Sequence, residues 1–157
     1  MHREKKAGRS IEDCVGESTS SSAVVVRLLP DYAGTVLWCP HPVAYAATQL
    51  DPALVTDLIR WEIGYYDALT EDFGWRSPEL AGEFTATGIR LAMRLAVQLG
   101  SGFDIEFASY EAGTATRRFR SECPADNPRA TAAFAALAVW PAGRDGVKSG
   151  RCETGTE

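Results

Sequence analysis

The strongest constraint on the fold is the stretch from Ser77 to Ser121, in which a helical repeat of apolar residues changes to strand alternation. Apolar side chains recur at helical spacing up to Leu99, and the Gly100-Ser101-Gly102 break then ends the helix. From Phe103 the period is two, as expected for a half-buried strand. A long helix that leads directly into a strand predicts a domain in which both share one core.

A second strand is predicted after a three-residue hairpin loop, Glu111-Ala112-Gly113, with the glycine in the left-handed conformation. In this register Glu106 faces Arg118, and Asp104 faces Arg120. A shift by one residue would lose both charge matches together. The two charge runs are therefore interpreted as a device that sets the strand register.

Three segments begin with a capping side chain that is followed immediately by proline. Proline disfavours the helical conformation for the residue before it and suits the first helical position itself. The pattern occurs at Asp51-Pro52, Ser77-Pro78 and Asn127-Pro128. It predicts helices over residues 52–69, 78–99 and 129–139.

Two shorter apolar runs, residues 23–29 and 35–39, predict further strands before the first long helix. The expected fold class is α+β: a small mixed or antiparallel sheet of about four strands, packed against two long helices, plus a short C-terminal helix. Residues 23–141 would form this single domain. Residues 1–22 and 142–157 contain few apolar side chains and are expected to be disordered tails.

The formal charge of -5 argues against a nucleic-acid partner and against an anionic membrane surface, because both attract basic proteins. No apolar run approaches the roughly 20 residues that cross a bilayer. The N-terminus contains charged, Gly and Ser residues without the apolar segment of a secretion signal. A cytoplasmic protein is expected.

The four cysteines are spaced without a C-x-x-C pair, and they are Cys14, Cys39, Cys123 and Cys152. This spacing predicts reduced thiols rather than a disulfide framework or a zinc site. Cys39 and His41 lie two residues apart, but a nucleophile needs a third orienting group and a metal needs further ligands. No catalytic residue, metal site or cofactor is therefore assigned, and an enzyme is the less favoured class.

The densest chemical feature is an acidic stretch that is rich in aromatic residues. Between Asp51 and Glu83, eight acidic residues accompany two arginines. Aromatic side chains can anchor a partner while the acids steer a basic partner towards them. The alternative interpretation is the solvated outer side of two helices. The residues assigned to partner binding are Trp61, Glu62, Tyr65, Tyr66, Asp67, Glu71, Asp72 and Trp75.

Six short segments carry a resemblance to known proteins: Val26-Arg27-Leu28-Leu29-Pro30-Asp31-Tyr32, Leu37-Trp38, Leu58-Ile59-Arg60-Trp61-Glu62, Gly88-Ile89-Arg90-Leu91-Ala92, Leu99-Gly100 and Asp104-Ile105-Glu106-Phe107. In this order they resemble a loosely defined group of small uncharacterised bacterial proteins, from about Val24 to Tyr110. The resemblance implies a domain but no catalytic residues. The small size, acidic charge and α/β pattern also resemble immunity proteins of bacterial toxin systems, which act by binding.

The leading hypothesis is an interaction domain of the immunity type that binds a basic protein partner through its acidic helical face. One alternative is a small enzyme or ligand-binding domain with a pocket between the helices and the sheet, where Cys39, His41, Tyr65 and Arg90 would converge. Another is a homodimer that forms through an exposed apolar helix face or a sheet edge.

Overall fold

A computed structural model describes residues 10–17 and 23–139 of the 157-residue chain. The helices are α1 (Ile11–Cys14), α2 (Pro52–Asp67), α3 (Pro78–Leu99) and α4 (Pro128–Ala138), with a 3-10 turn at Tyr45–Ala47. The strands are β1 (Val15–Glu17), β2 (Val24–Leu28), β3 (Leu37–Trp38), β4 (Phe103–Phe107) and β5 (Arg117–Ser121). The predicted α+β class and short C-terminal helix are confirmed, and the described sheet has five strands rather than about four.

The sheet is mixed, and its strand order is β1-β5-β4-β2-β3. β2 and β4 pair in parallel, whereas the other neighbouring strands are antiparallel. The connection from β2 to β4 contains β3, α2 and α3, since parallel strands need a long crossover. α3 packs against β4 and β5, and both α2 and α4 pack against α3. α3 is therefore the element that joins the sheet to the other helices.

All three proline-capped helix starts are confirmed. Asp51, Ser77 and Asn127 each accept a hydrogen bond from a backbone N–H two or three residues further along the chain. These bonds satisfy N–H groups that have no partner within the helix. Among the helices of the described residues, none has the length and hydrophobicity that crossing a membrane requires.

The predicted register of β4 and β5 is also confirmed. Glu106 lies opposite Arg118, and their side chains form an ion pair of 2.7 Å. The Arg120 guanidinium donates hydrogen bonds of 2.7 Å and 3.0 Å to the two carboxylate oxygens of Asp104, which is fully buried. Charge matching across the strands therefore agrees with the register that the apolar residues select.

The loop between these two strands is longer than predicted. Residues 108–116 lie outside the ladder because other elements bind them. The Tyr110 carbonyl accepts a hydrogen bond of 3.2 Å from the Trp75 indole, and the residues on either side of Tyr110 form hydrogen bonds with Thr85 of α3. Gly113 has the predicted left-handed conformation, although it lies within this longer loop.

Residues 10–17 differ from the expected disordered tail, because they form α1 and β1 and β1 pairs with β5. Local composition gave no sign of this order, since β1 is held by a partner strand that lies about 100 residues away in the chain. The other residues expected to be tails, together with residues 140 and 141, lie outside the described residues.

The prediction of four reduced thiols is wrong for two of them. Cys14 and Cys123 form a disulfide, and their Cα atoms are 5.5 Å apart. The prediction failed because it placed Cys14 in an unstructured tail, whereas β1 brings this residue to the end of β5. Cys39 is free and buried, and Cys152 lies outside the described residues.

Candidate partner-binding site

A cluster of aromatic residues lies at the end of the sheet where the parallel strands β2 and β4 terminate. Its residues come from the loop after β2, the second half of α2, the loop between α2 and α3, and the loop after β4. Together with the acids in these segments we call it the aromatic–acidic face. It comprises Asp31, Tyr32, Glu62, Tyr65, Tyr66, Asp67, Glu71, Asp72, Phe73, Trp75 and Tyr110.

Ring contacts connect most of the aromatic residues of this face. The centroids of Tyr32 and Tyr66 are 4.7 Å apart. Tyr65 lies 5.1 Å from Tyr66, 5.3 Å from Tyr110 and 5.6 Å from Trp75. Tyr65 is therefore the centre of the cluster. Aromatic pairs at such distances contribute about 0.5 to 1.5 kcal/mol each beyond the area that they bury, so the rings are held in place.

Hydrogen bonds tie the contributing loops to one another. The Tyr32 N–H donates to the Tyr66 hydroxyl at 2.8 Å, and the Tyr110 hydroxyl donates to the Pro30 carbonyl at 2.8 Å. The Trp75 indole N–H donates to the Tyr110 carbonyl at 3.2 Å. Three loops and α2 are thereby connected, which gives the face a preorganised shape.

Three aromatic side chains of the face are strongly exposed: Phe73 at 73%, Tyr32 at 66% and Tyr110 at 43%. Tyr32 and Phe73 also have positive φ values, 50° and 63°. The left-handed conformation is strained for a bulky residue, by on the order of 1 to 3 kcal/mol. Tyr32 and Phe73 are thus held in a strained conformation that gives their side chains no place in the core. Both residues are therefore candidates for contact with a partner.

The electrostatic surroundings of the tyrosines are acidic. Burial raises the pKa of Tyr65 to about 12, and the neighbouring tyrosines and Asp31 act in the same direction. Burial also raises the pKa of Tyr66 and of Tyr110; Asp31 adds to both shifts, and Glu62 adds to that of Tyr66. The charged side chains that act on these three phenols are therefore acidic, which favours a cationic partner.

The raised pKa of Tyr65 predicts a loss of stability at alkaline pH. The unfolded phenol ionises near pH 10 and the folded one near pH 12, so its contribution is complete below pH 10 and disappears as pH rises towards about 12. Urea unfolding at a series of pH values from 9 to 11.5 measures this effect. We expect the free energy of unfolding to fall less steeply for Tyr65→Phe, which has no phenol, than for the wild type. Parallel curves would contradict the assignment.

The eight residues predicted to bind a partner lie at different depths. Asp67, Glu71 and Asp72 are exposed, whereas Glu62, Tyr65, Tyr66 and Trp75 are half-buried. Trp61 is only 6% exposed. Its ring stacks on Phe84 at 4.6 Å, and its indole N–H donates to the Phe84 carbonyl at 3.1 Å. The structure thus places seven of the residues on the face and Trp61 in the core beneath it.

Sequence reasoning missed four residues of the face: Asp31, Tyr32, Phe73 and Tyr110. A signal exists for two of them, because Tyr32 and Phe73 occur within turn sequences, Pro30-Asp31-Tyr32-Ala33-Gly34 and Asp72-Phe73-Gly74. A large aromatic side chain in such a turn has no core position to fill. Tyr110 gave no such signal, because an aromatic side chain is expected in a strand and the sequence predicted a strand at this position.

A cleft of about 510 Å³ lies between α2 and α3, next to the face. Tyr65 and Arg90 line it, but Cys39 and His41 do not, so the predicted convergence of these four residues is wrong. Cys39 is buried, which raises the pKa of its thiol, and its backbone N–H donates to the His41 carbonyl. In the described part of the chain, no three His, Cys, Asp or Glu residues are grouped so that they could hold a metal ion.

A family model described as Serratia CdiI immunity protein-like matches residues 24–110, which is more than half of the chain. No curated protein and no solved structure matches the chain. The matched segment contains every residue of the aromatic–acidic face. The match also confirms the resemblance to immunity proteins that size, charge and pattern indicated.

Proposed function

Because the chain belongs to the Serratia CdiI immunity protein-like family, we propose that it neutralises a bacterial toxin by binding it through the aromatic–acidic face. Family membership is the observation that carries this proposal, since an immunity protein acts on a toxin partner. The position of the face within the matched segment supports its choice as the binding surface.

The exposed rings of the face have the properties of interface anchors. Tyr and Trp are enriched among the residues that dominate binding energy, especially where the surrounding structure already holds them in place. Tyr32, Phe73 and Tyr110 offer their side chains to a partner without any rearrangement of the core. The ring faces of tyrosines also bind lysine and arginine side chains, by about 0.5 to 2 kcal/mol each.

The acids of the face are available to a basic partner. Among the described residues, none of the carboxylates of Asp31, Glu62, Asp67, Glu71 and Asp72 forms an ion pair. Arg76 is close to Asp67, but its guanidinium donates to the Asp67 backbone carbonyl. The negative charge therefore remains uncompensated and can accelerate association with a basic surface.

The test compares two triple variants that remove the same charge. Asp67→Asn/Glu71→Gln/Asp72→Asn alters the face, and Glu12→Gln/Glu122→Gln/Asp126→Asn alters exposed acids at the opposite end of the sheet. The neighbouring genes are first searched for a toxin, each protein is mixed with the purified product, and the association rate is measured at low and high salt. We expect the first triple to lower the rate at low salt on the order of tenfold or more.

The second triple should change the association rate far less. At high salt, the association rates of the first triple and the wild type should become more similar, because salt screens exposed charges. Phe73→Ala should raise the dissociation constant on the order of 30-fold, the effect of losing a central anchor. Equal rates for both triples would contradict the choice of this face. A toxin that neither binds the wild type nor loses activity in its presence would contradict the immunity function itself.

A further inference from the structure

The cleft between α2 and α3 has an apolar floor and an open entrance. Trp61, Phe84 and Leu91 form much of the floor. On α2, Gly64 borders the cleft, and a Cβ atom at this position would meet no heavy atom within 4 Å. The missing side chain of Gly64 therefore leaves the entrance open at a point where most residues would narrow it.

The rim of the cleft carries an arginine that lacks an acidic partner. Arg94 forms an ion pair of 2.7 Å with Asp57, and Arg60 approaches the same carboxylate at 3.9 Å. Arg90 is exposed, and its guanidinium donates only to the Thr87 hydroxyl on its own helix, at 3.0 Å. Within residues 10–17 and 23–139, no carboxylate pairs with Arg90. Asp57 is thus shared by two arginines, whereas among the described residues Arg90 forms an ion pair with neither acid of the cleft, Asp57 or Glu83, and can bind an anion.

The cleft and the aromatic–acidic face are continuous. Tyr65 lies at the centre of the aromatic cluster and also lines the cleft, and Phe84 lies 5.2 Å from Tyr65 and forms part of the floor. A protein that covers the face therefore comes up to the edge of the cleft. The volume also falls in the range of small-molecule sites, but continuity with the face favours an occupant that belongs to the same partner.

We infer that the cleft receives an apolar side chain of the toxin, while a neighbouring aspartate or glutamate of the toxin pairs with Arg90. This inference rests on the proposed function and adds a requirement to it. The acidic face attracts basic surfaces in general, whereas Arg90 admits only a partner that also presents a carboxylate at the correct distance. The ion pair between Arg90 and a toxin carboxylate therefore distinguishes between toxins that have the same net charge.

The test measures toxin binding by Arg90→Gln and by Arg129→Gln. Arg129 is an exposed arginine at the start of α4, so its replacement removes the same charge away from the cleft. We expect the dissociation constant to rise on the order of 30-fold or more for Arg90→Gln and to change little for Arg129→Gln. Gly64→Leu, which places a side chain in open space on an exposed part of α2, should weaken binding similarly without lowering the melting temperature.

A double-mutant cycle identifies the toxin carboxylate. Each acidic residue of the toxin is changed to its amide, and one of these variants should lose its effect when combined with Arg90→Gln. Equal binding by Arg90→Gln and the wild type would overturn the inference and leave the proposed function intact. Equal weakening by Arg90→Gln and Arg129→Gln would also overturn it, since long-range charge would then explain the effect. A wild-type protein that does not bind the toxin would overturn both proposals.

Discussion

Reduction of the disulfide between Cys14 and Cys123 is expected to lower the free energy of unfolding by about 2 to 5 kcal/mol. The two cysteines are 109 residues apart in the sequence, so the crosslink restricts most of the unfolded chain. It also joins α1 and β1 to the end of β5, next to the pairing of all three β1 residues with β5. Urea unfolding with and without a reducing agent measures the change.

A variant without the crosslink provides the control. Cys14→Ala/Cys123→Ala should unfold at the same urea concentration in both conditions, and this concentration should be close to that of the reduced wild type. Cys39 and Cys152 are unchanged in the comparison, so neither contributes to the difference. A wild-type midpoint that does not respond to reduction would contradict the prediction.

The second large effect concerns Trp61, whose buried ring is expected to stabilise the fold. Trp61→Ala should lower the free energy of unfolding by about 3 to 5 kcal/mol, because it removes a buried aromatic ring together with the indole hydrogen bond to the Phe84 carbonyl. The loss should be large because the ring also contacts Phe107, and the two rings together fill the space that Gly88 leaves on α3. Thermal and urea unfolding measure it.

Ile63 supplies the matched control on the same helix. It is 55% exposed, so Ile63→Ala should change the free energy of unfolding by no more than about 0.5 kcal/mol. The unfolding measurements are made without the toxin, because Trp61 also lines the cleft that is proposed to receive a toxin side chain. A Trp61→Ala variant that unfolds at the same temperature and urea concentration as the wild type would contradict the prediction.

The elements that could be predicted from the sequence are those with a local physical cause. Asp51, Ser77 and Asn127 mark helix starts because a capping side chain and a following proline act within a few residues. The register of β4 and β5 could be predicted because Glu106 and Arg118 are close in the chain and opposite in charge. Neither prediction required knowledge of the rest of the fold.

The features that could not be predicted depend on residues that are far apart in the chain. No local pattern indicates that β2 pairs with β4, or that β1 reaches β5 and brings Cys14 to Cys123. A short segment such as β1 has too few apolar residues to reveal its structure, and its order comes from the partner strand.

The candidate site shows the same division. The stretch from Trp61 to Trp75 is identified from its acids and aromatic rings. Trp61 continues the helical spacing of Leu54 and Leu58 and is buried with them, so the pattern of the helix indicated its core position better than its aromatic character did. Tyr32 and Tyr110 were missed because they join the face only through the tertiary structure. The face is assembled from loops that follow strands, and loops carry little periodicity from which a neighbour could be inferred.

The parallel pairing of β2 with β4 has a consequence for how the protein is made. Until β4 has been synthesised, β2 can pair only with β3 at one edge, and the edge that pairs with β4 has no partner strand. Such non-local pairing slows folding and prolongs the exposure of apolar surface. Tyr110 follows β4, so the surface proposed to bind the toxin is complete only after β4 has been made. The proposed neutralisation would therefore belong to chains in which β2 and β4 have already paired, and not to shorter nascent chains.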